Sequence, residues 1–516
     1  MIPRVALATA LTDANLAVLL STLAYLTHDA SLLERYDAAA LDHGRGAGTI
    51  DDAEADEIRA LALDVLSSLD LDANSVRPPT DALLQRIVCY CAGEDVPADY
   101  VPLVVAESNF DGRDTRRYEW VRPPAPEELA DFRVAIIGGG LAGVCAAVRL
   151  EQLGIPYVVI EKNPSVGGTW FENTYPGLRV DVPNHFYSYS FAPNPGWSSY
   201  YAERREIAEY VERCARRYGV LSRVRCGTEV VGASYDDASA RWSLRLRTAD
   251  SEADEILAVN VVISAVGMLN RPVLPPIDGL DTFRGPWFHS SRWDHGVDVA
   301  GRRVAVVGTG ASAMQIVPEL APKVGRLFVF QRSRHWVTPN PLYHRPVSAG
   351  EQWLFANVPA YEGWYRFLQF WNNSDRMYPA FRRDPAWPHP ERAISRQNDK
   401  LRQIMTDHLR RELAAKPQLV DATLPDYPAL GKRILQDNGW FRALLRDNVE
   451  LVTDGVAKLT DHAIVTGSGG AHEIDVLVLA TGFHANKYLW PMEITSRGVN
   501  LCASWGEDPR AYLGIT

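Results

Sequence analysis

The chain has 516 residues, which is more than one hydrophobic core usually contains and therefore predicts two or three domains. Its composition, 47% hydrophobic and 23% charged, is typical of a soluble globular protein, and its net charge of −11 gives no reason to expect a nucleic acid or an anionic membrane as partner. The six cysteines have neither CxxC spacing nor the pattern of a disulfide framework. This cysteine usage argues against a zinc site and predicts a cytoplasmic protein.

The first part of the chain, residues 1–125, lacks strand-like alternation and is predicted to be helical. Val5–Leu26 is rich in Ala and Leu, but its polar residues favour an amphipathic helix over a signal peptide or a membrane span. Asp51–Leu71 and Asp81–Cys91 have apolar residues at helical spacing. The Pro-rich segment Val121–Pro126 then separates this helical extension from the rest of the chain.

A first nucleotide-binding pattern begins at the apolar strand Arg133–Ile137 and continues through a glycine-rich turn into a helix and a second strand. In such a pattern Gly138 permits the tight turn, Gly140 lets the backbone approach a pyrophosphate, and Gly143 allows the helix to pack closely on the strand. Glu161 ends the second strand, where a carboxylate accepts hydrogen bonds from both ribose hydroxyls and favours FAD or NAD over NADP. A plain glycine turn is the alternative, and the complete order of elements argues against it.

A second pattern starts at Arg303–Val307, and no acid follows its second strand. Arg332 and Ser333 stand there instead, and they suit the 2′-phosphate of NADPH because a guanidinium binds a phosphate with two parallel hydrogen bonds. The alternative is that Arg332 is a solvated surface residue. The residues predicted to bind NADPH in this pattern are Gly308, Thr309, Gly310, Ser312, Gln315, Arg332 and Ser333.

The segment between the two patterns, Phe283–Asp294, is FRGPWFHSSRWD. It matches the FxGxxxHxxxW[P/D] fingerprint of type I Baeyer–Villiger monooxygenases, and the chain resembles that family. His289 of the fingerprint is therefore expected to couple the two nucleotide domains and not to act as a catalytic base; an ordinary buried histidine is the alternative. Gly167–Gly177 also resembles the family's flavin-lining segments, and Asp426–Val452 resembles the segment that carries its Lys-Arg pair.

The resemblance implies that FAD occupies the first site and NADPH the second. It also implies that Lys432 joins Arg332 on the 2′-phosphate, that Arg433 reaches the flavin ring, and that Asp181 holds Arg433 in place. Taken in isolation, Lys432 and Arg433 would be interpreted as a solvated charged turn. The predicted catalytic residues are Arg433 and Asp181, and the predicted flavin contacts are Gly138, Gly140, Gly143, Glu161, Thr169, Trp170, Asp181, Tyr187 and Arg433.

The activity implied by the resemblance is a monooxygenation. NADPH reduces FAD, O2 adds at flavin C4a, and the resulting peroxyflavin attacks a ketone carbonyl, so that one oxygen atom is inserted next to the carbonyl and an ester forms. The helical extension resembles that of 4-hydroxyacetophenone monooxygenases, which favours an aryl ketone as substrate and a homodimer formed through residues 1–125. The aromatic-rich stretch Trp353–Trp387 either lines an aryl pocket or forms the core of a helical insert.

The predicted architecture is α/β: two Rossmann-like dinucleotide-binding domains, with the NADPH domain nested in the FAD domain, and an all-helical N-terminal domain. The predicted boundaries are 1–125 for the helical extension, 131–275 and 465–516 for the FAD domain, and 276–464 for the NADPH domain, with a helical insert at about 340–425. Val476–Phe483 resembles the strand that returns the chain to the FAD domain. Because only 34 residues follow Gly482, the FAD domain is expected to be incomplete.

Three other functions stay open. A flavin monooxygenase that oxidises nitrogen or sulfur carries a similar motif, usually without the Trp-Pro or Trp-Asp ending. An inactive, truncated fragment would only dimerise through its helices. A plain FAD reductase or dehydrogenase would use both nucleotide sites, but it would need neither the fingerprint at Phe283–Asp294 nor the pair Lys432 and Arg433.

Overall fold

The computed structural model describes residues 3–44, 48–69, 78–110, 112, 114–249, 251 and 253–514. The N-terminal part is helical, as predicted, and contains α1 (Arg4–Leu11), α2 (Leu16–Thr27), α3 (Leu32–Arg35), α4 (Asp52–Ser68), α5 (Asp81–Ala92) and α6 (Val101–Ser108). Asp51 and Thr80 begin α4 and α5 as N-caps, each accepting a hydrogen bond from a backbone N–H of the first turn. These two helices confirm the helical patterns that start at Asp51 and Asp81.

The prediction of a single amphipathic helix over Val5–Leu26 is wrong. Two helices cover this stretch, because Asn15 starts a new one by accepting a hydrogen bond from the Val18 N–H at 3.0 Å. Every residue from Ala17 to Tyr25 is buried, so α2 is a central helix of the N-terminal part and has no polar face. In the part of the chain that the structure describes, no helix is long and apolar enough to cross a bilayer.

The first α/β unit follows. Its elements are α7 (Pro126–Leu129), β1 (Val134–Ile137), α8 (Leu141–Leu153), β2 (Tyr157–Ile160), α9 (Thr169–Glu172), α10 (Arg204–Arg217), β3 (Val224–Arg225), β4 (Thr228–Asp236), β5 (Arg241–Thr248), β6 (Glu255–Val259) and β7 (Val261–Ser264). A parallel sheet has the strand order β3-β2-β1-β7. All four residues of β1 are buried, which explains its unbroken apolar sequence.

The second α/β unit and the C-terminal elements complete the chain. The unit contains β8 (Trp287–His289), β9 (Arg303–Val307), α11 (Ala311–Leu320), β10 (Arg326–Phe330), β11 (Val337–Thr338), α12 (Ala349–Asn357), α13 (Tyr361–Asn373), α14 (Tyr378–Phe381), α15 (Arg396–Glu412), α16 (Gln418–Thr423), β12 (Leu435–Gln436), α17 (Trp440–Leu444), β13 (Val449–Val452), β14 (Val456–Leu459), β15 (Ala463–Thr466), β16 (Ala471–Glu473) and β17 (Val476–Leu479), and the C-terminal elements are β18 (Glu493–Ser496), β19 (Val499–Asn500) and α18 (Leu501–Trp505). The parallel sheet of the second unit has the strand order β13-β10-β9-β17-β8. Two parallel sheets flanked by helices, with a helical N-terminal part, confirm the predicted fold class.

The predicted boundary at residue 465, which places the strand in Val476–Phe483 within the FAD domain, is wrong. β17 pairs with β9 and β8 and therefore belongs to the second sheet. Its four residues are all buried, and an apolar run of this kind fits the centre of either sheet, so composition alone does not distinguish the two. β18 then pairs with β4 of the first unit, so that residues 465–516 contribute to both units.

The helices α12–α16 interrupt the second unit as a helical insert, and α12 and α13 pack on the N-terminal helices. The Trp364 ring lies 4.5 Å from the Phe110 ring and 5.9 Å from the Tyr25 ring. The Asn15 N–H donates a hydrogen bond to the Tyr361 hydroxyl at 2.9 Å. The aromatic stretch therefore forms a core between insert and N-terminal helices, and the alternative of an aryl pocket at Trp364, which has no exposed surface, is wrong.

Candidate active site

A cavity of about 390 Å³ lies at the carboxyl ends of β1 and β2, next to the start of α8. The strand ends Ile137 and Ile160 are paired in the parallel sheet, which brings the turns that follow them to the same edge. The predicted flavin contacts that line this cavity are Gly138, Gly140, Glu161, Thr169, Trp170 and Tyr187. Gly143 lies beside it, in the first turn of α8.

The glycines of this turn are required by close backbone contacts. Gly138 has a φ of +107°, and a Cβ atom there would lie 2.6 Å from the carbonyl oxygen of Ala265. A Cβ atom at Gly143 would lie 1.8 Å from the carbonyl oxygen of Gly138. At Gly140 it would meet only Gly168, at 3.5 Å, so this glycine leaves its backbone open towards the cavity. The three roles predicted for these glycines agree with this geometry.

Glu161 is buried, and protein groups hold its carboxylate in place at the cavity wall. One oxygen accepts a hydrogen bond from the Gly139 N–H at 2.6 Å, and the other accepts bonds from the Asn163 N–H and side-chain amide at 2.8 and 2.7 Å. A carboxylate has about four acceptor sites, so with three of them used it can accept about one further bond from a ribose hydroxyl. Asn163, which the sequence analysis missed, therefore orients the acid.

Two cations that sequence reasoning missed, Lys162 and Arg271, also line the cavity. The Lys162 ammonium lies 2.7 Å from the Glu172 carboxylate, and the Arg271 guanidinium lies 2.8 Å from that of Glu229. Both cations are therefore neutralised by carboxylates of the same cavity wall, and the backbone N–H groups at the start of α8 are the groups left to bind an anionic ligand.

Trp170 and Tyr187 form a contact pair on the cavity wall. The indole N–H of Trp170 donates to the Tyr187 hydroxyl at 3.2 Å, and the two rings meet edge to face with 5.8 Å between their centroids. Burial raises the pKa of Tyr187, so its hydroxyl stays protonated at neutral pH. Thr169 precedes Trp170 at the start of α9.

The second predicted site lies at the N-terminus of α11. Gly308 has a φ of +115°, and a Cβ atom there would lie 2.3 Å from the carbonyl oxygen of Ala480. A Cβ atom at Gly310 would have no atom within 4 Å, so the backbone here faces open space. The Thr309 hydroxyl donates to the Ser333 carbonyl oxygen at 2.9 Å, which fixes the loop after β10 against the glycine turn. The arrangement suits a pyrophosphate at the helix N-terminus.

Gln315 does not have a free amide with which to bind a cofactor. Its amide nitrogen donates to the Arg179 carbonyl oxygen at 2.9 Å and to the Tyr343 hydroxyl at 2.7 Å, and its oxygen accepts from the Tyr175 hydroxyl at 3.1 Å. Ser312 lies in the first turn of α11. The predicted cofactor contact of the Gln315 side chain is therefore wrong: Gln315 instead connects α11 to the YPG segment of the first unit.

The two basic segments predicted to bind the 2′-phosphate are joined by a short parallel ribbon. β11 pairs with β12, with Val337 opposite Leu435. This pairing brings the residues before each strand, Arg332–Ser333 and Lys432, to the same end of the ribbon. Lys432 lies over the Tyr427 ring at 4.9 Å. The Tyr427 hydroxyl donates a hydrogen bond at 2.8 Å to the carbonyl oxygen of Arg334, in the loop that also contains Arg332. Arg332 is exposed, and Ser333 is half-buried.

Arg433 and Asp181 form an ion pair between the two units. The Nε and Nη2 atoms of Arg433 donate to one oxygen of Asp181 at 3.1 and 2.7 Å. Asp181 follows the YPG segment of the first unit, and Arg433 precedes β12 of the second. The predicted contact is confirmed, and 68% of the Arg433 side chain is exposed at this junction.

His289 connects the fingerprint to the loop after β17. Its Nε2 atom lies 3.1 Å from the Gly482 carbonyl oxygen, and its Nδ1 atom lies 2.9 Å from the Ser291 hydroxyl. Burial lowers the pKa of His289, so the ring is neutral at neutral pH. Both nitrogens are engaged by protein, which agrees with a connecting role and not with that of a base.

Known proteins share this arrangement. The flavin-binding monooxygenase-like family matches residues 131–344, which include both glycine turns and the fingerprint. A Baeyer–Villiger monooxygenase of Streptomyces coelicolor is 40% identical over 390 residues, covering 74% of this chain and 70% of that protein. The chain belongs to the Baeyer–Villiger monooxygenase family.

Two further proteins extend the comparison. An uncharacterized monooxygenase of Sinorhizobium fredii is 40% identical over 461 residues, covering 89% of this chain and 68% of that protein. The crystal structure of OTEMO in complex with FAD and NADP superimposes with a TM-score of 0.64 at 29% identity, covering 74% of this chain and 76% of that chain. The family predicted from the fingerprint is confirmed, and with it the chain's nature as a flavin-dependent monooxygenase.

Proposed function

We propose that this Baeyer–Villiger monooxygenase binds FAD at β1 and NADPH at α11, and that it inserts one oxygen atom of O2 next to the carbonyl of a ketone to give an ester. The ion pair of Arg433 and Asp181 carries the proposal, because it provides a fixed cation at the junction of the two nucleotide sites. OTEMO, a protein of the same fold, was solved with both FAD and NADP.

The residues present fit FAD in the first cavity. Gly138 and Gly143 allow the tight turn and the close packing of α8, Gly140 leaves the backbone open to a pyrophosphate, and Glu161 faces a ribose. Trp170 and Tyr187 form an apolar wall suited to a flavin ring.

The residues present at α11 fit NADPH. Gly310 leaves open space at the helix N-terminus for a pyrophosphate. An NAD-specific site would have an acidic residue after the second strand. This chain instead has two cations and a hydroxyl, from Arg332, Lys432 and Ser333, and these groups suit a 2′-phosphate.

Bound FAD would supply hydride acceptance from NADPH and activation of O2, chemistry that amino-acid side chains lack. Arg433 would stabilise the negative charge that develops during oxygen transfer, as a preorganised donor close to the reacting atoms. Asp181 orients the guanidinium through the two bonds to one oxygen and is not itself a base. Trp170 and Tyr187 would exclude water from the flavin side of the site.

The finer points of the proposal rest on the resemblance to 4-hydroxyacetophenone monooxygenases. They are an aryl ketone as substrate and a homodimer formed through residues 1–125. The Trp353–Trp387 stretch lends no support to an aryl substrate, because it packs on the N-terminal helices.

The test begins with the visible absorbance spectrum of the purified chain, with and without added FAD. The proposal expects a bound oxidised flavin, NADPH oxidation that depends on substrate, and an ester from an acetophenone. A sulfoxide or an N-oxide without any ester would identify a nitrogen- or sulfur-oxidising enzyme instead. NADPH oxidation with no oxygenated product would identify a reductase. No bound flavin in excess FAD would refute the proposal for this chain.

A further inference from the structure

Arg366 is a buried cation on α13, with 5% of its surface exposed, and lies outside both nucleotide sites. On one side its Nε atom donates to the Glu107 carbonyl oxygen of α6 at 2.9 Å, and Nη2 lies 3.4 Å from the Glu107 carboxylate. On the other side it donates to the loop 185–188: Nη1 to the His185 carbonyl oxygen at 2.7 Å and the Ser188 hydroxyl at 2.8 Å, and Nη2 to the Ser188 carbonyl oxygen at 3.1 Å.

This loop carries Tyr187, whose side chain lines the flavin cavity and accepts the hydrogen bond from Trp170. Within the loop, the Tyr187 N–H donates to the Pro183 carbonyl oxygen and the Ser188 N–H to that of Phe186, both at 2.8 Å. Arg366 holds the carbonyl groups on either side of Tyr187. The backbone position of Tyr187, and therefore the direction of its ring, depends on these bonds.

A buried guanidinium is costly unless its donors are satisfied, and apolar replacements of buried ion pairs are often as stable. Stability alone therefore does not explain this residue. Its planar group offers five donors in a fixed fork, which lets it bind two chain segments on opposite sides at once. Lys has a single ammonium in place of this fork and is not an equivalent substitute.

We infer that Arg366 is a positioning residue of the flavin site: it makes the helical insert and the N-terminal helix α6 part of the support for Tyr187 and Trp170. The inference rests on the proposed function insofar as the cavity binds FAD. The N-terminal helix α6 then influences the position of Tyr187 in the flavin site of the same chain, through Glu107, Arg366 and the loop 185–188.

Arg366→Lys tests the inference with the charge retained, which limits the loss of stability. Ser188→Ala removes one loop acceptor, and Glu107→Gln weakens the contact on the N-terminal side. Tyr100→Phe is the matched control, because it deletes a different hydrogen bond across the same interface, the one from Tyr100 to Asp375 at 2.5 Å. Each variant is compared by thermal unfolding, by the dissociation constant for FAD, and by hydrogen exchange of residues 184–189 without flavin.

For Arg366→Lys we expect exchange in residues 184–189 to be about tenfold faster and the FAD dissociation constant to rise about tenfold, the factor that corresponds to losing one or two hydrogen bonds. Ser188→Ala and Glu107→Gln should each give a smaller change of the same sign, and Ser188→Ala should add little on top of Arg366→Lys. The bound flavin of Arg366→Lys should have an altered visible circular dichroism spectrum, which a merely structural contact would leave unchanged.

The two proposals fail in different ways. If the wild-type chain binds no FAD, the proposed function is refuted, and hydrogen exchange alone decides the role of Arg366. If Arg366→Lys matches Tyr100→Phe in the exchange of residues 184–189, Arg366 does not position the loop and the inference is overturned. The inference is likewise overturned if wild type binds FAD and Arg366→Lys binds it with the same affinity and spectrum.

Discussion

Replacing Arg433 by Ala is expected to abolish ester formation while leaving the fold and the bound flavin in place. The side chain is 68% exposed and its partner Asp181 is 30% exposed, and an ion pair of this kind contributes about 0–1 kcal/mol to stability. Removal of a preorganised donor to a developing anion costs about 2.7–4 kcal/mol of transition-state stabilisation, a factor of roughly 10²–10³ in kcat. The catalytic effect should therefore far exceed the effect on stability.

The assay compares wild type with Arg433→Ala under excess FAD. The melting temperature and the flavin spectrum report the fold, and ester production from an acetophenone, together with NADPH consumption and hydrogen peroxide release, reports the chemistry. Asp181→Asn retains an oxygen acceptor for Arg433 and should lose less activity. Arg497→Ala is the matched control, since it removes another exposed guanidinium, which is paired with Asp237 at 2.8 Å and does not line the flavin cavity.

Ester formation by Arg433→Ala at a rate near that of wild type would refute the assignment of Arg433 as the stabilising cation. A loss of flavin or a large fall in the melting temperature of Arg433→Ala would refute the small stability effect expected for this ion pair, because it would show that the pair holds the two units together. An equal loss of ester formation in Arg497→Ala would show that the assay does not report the role of Arg433 specifically.

Gly143→Ala places a methyl group 1.8 Å from the Gly138 carbonyl oxygen, so FAD absorbance should disappear from the purified protein; retained flavin would contradict the turn geometry. Arg332→Ala and Lys432→Ala should each lower the ratio of kcat/KM for NADPH over NADH about tenfold or more, since a charge-assisted bond contributes about 1.5–3 kcal/mol; an unchanged ratio would argue against the 2′-phosphate site. Burial lowers the pKa of His185 to about 3, so stability should fall by about 1.4 kcal/mol per pH unit as the pH drops below the unfolded value near 6.5. His185→Phe should remove that dependence in denaturant unfolding and match or exceed the stability of wild type at pH 7.5, because neither ring nitrogen has a partner among the described residues.

Local patterns predicted the two nucleotide units well. A strand, a glycine turn and a helix are encoded within about 20 neighbouring residues, and the turns at Gly138 and Gly308 lie where the sequence places them. The contact of Arg433 with Asp181 was also predicted, but only through the resemblance to a family, since the two residues are far apart in the sequence.

Long-range packing was not predictable from the sequence. Nothing near Arg366 indicates that its guanidinium contacts residues 107 and 188, and the aromatic residues around it suit a core or a pocket equally well. The sheet to which β17 belongs was misjudged for a similar reason, because an apolar strand does not specify its neighbours. Gln315 was misjudged because its partners come from two segments of the chain, around residues 175–179 and at Tyr343, that local sequence does not connect.

The ribbon of β11 and β12 has an evolutionary consequence. The helical insert leaves the second unit on one strand of the ribbon and returns on the other, so the separation of Arg332 from Lys432 does not depend on how long the intervening chain is. Lengthening a loop whose ends are already joined costs little, about 0.6 kcal/mol for each doubling. We therefore expect that inserts of different size can be exchanged at this point, by natural recombination or by grafting, without a change of coenzyme preference.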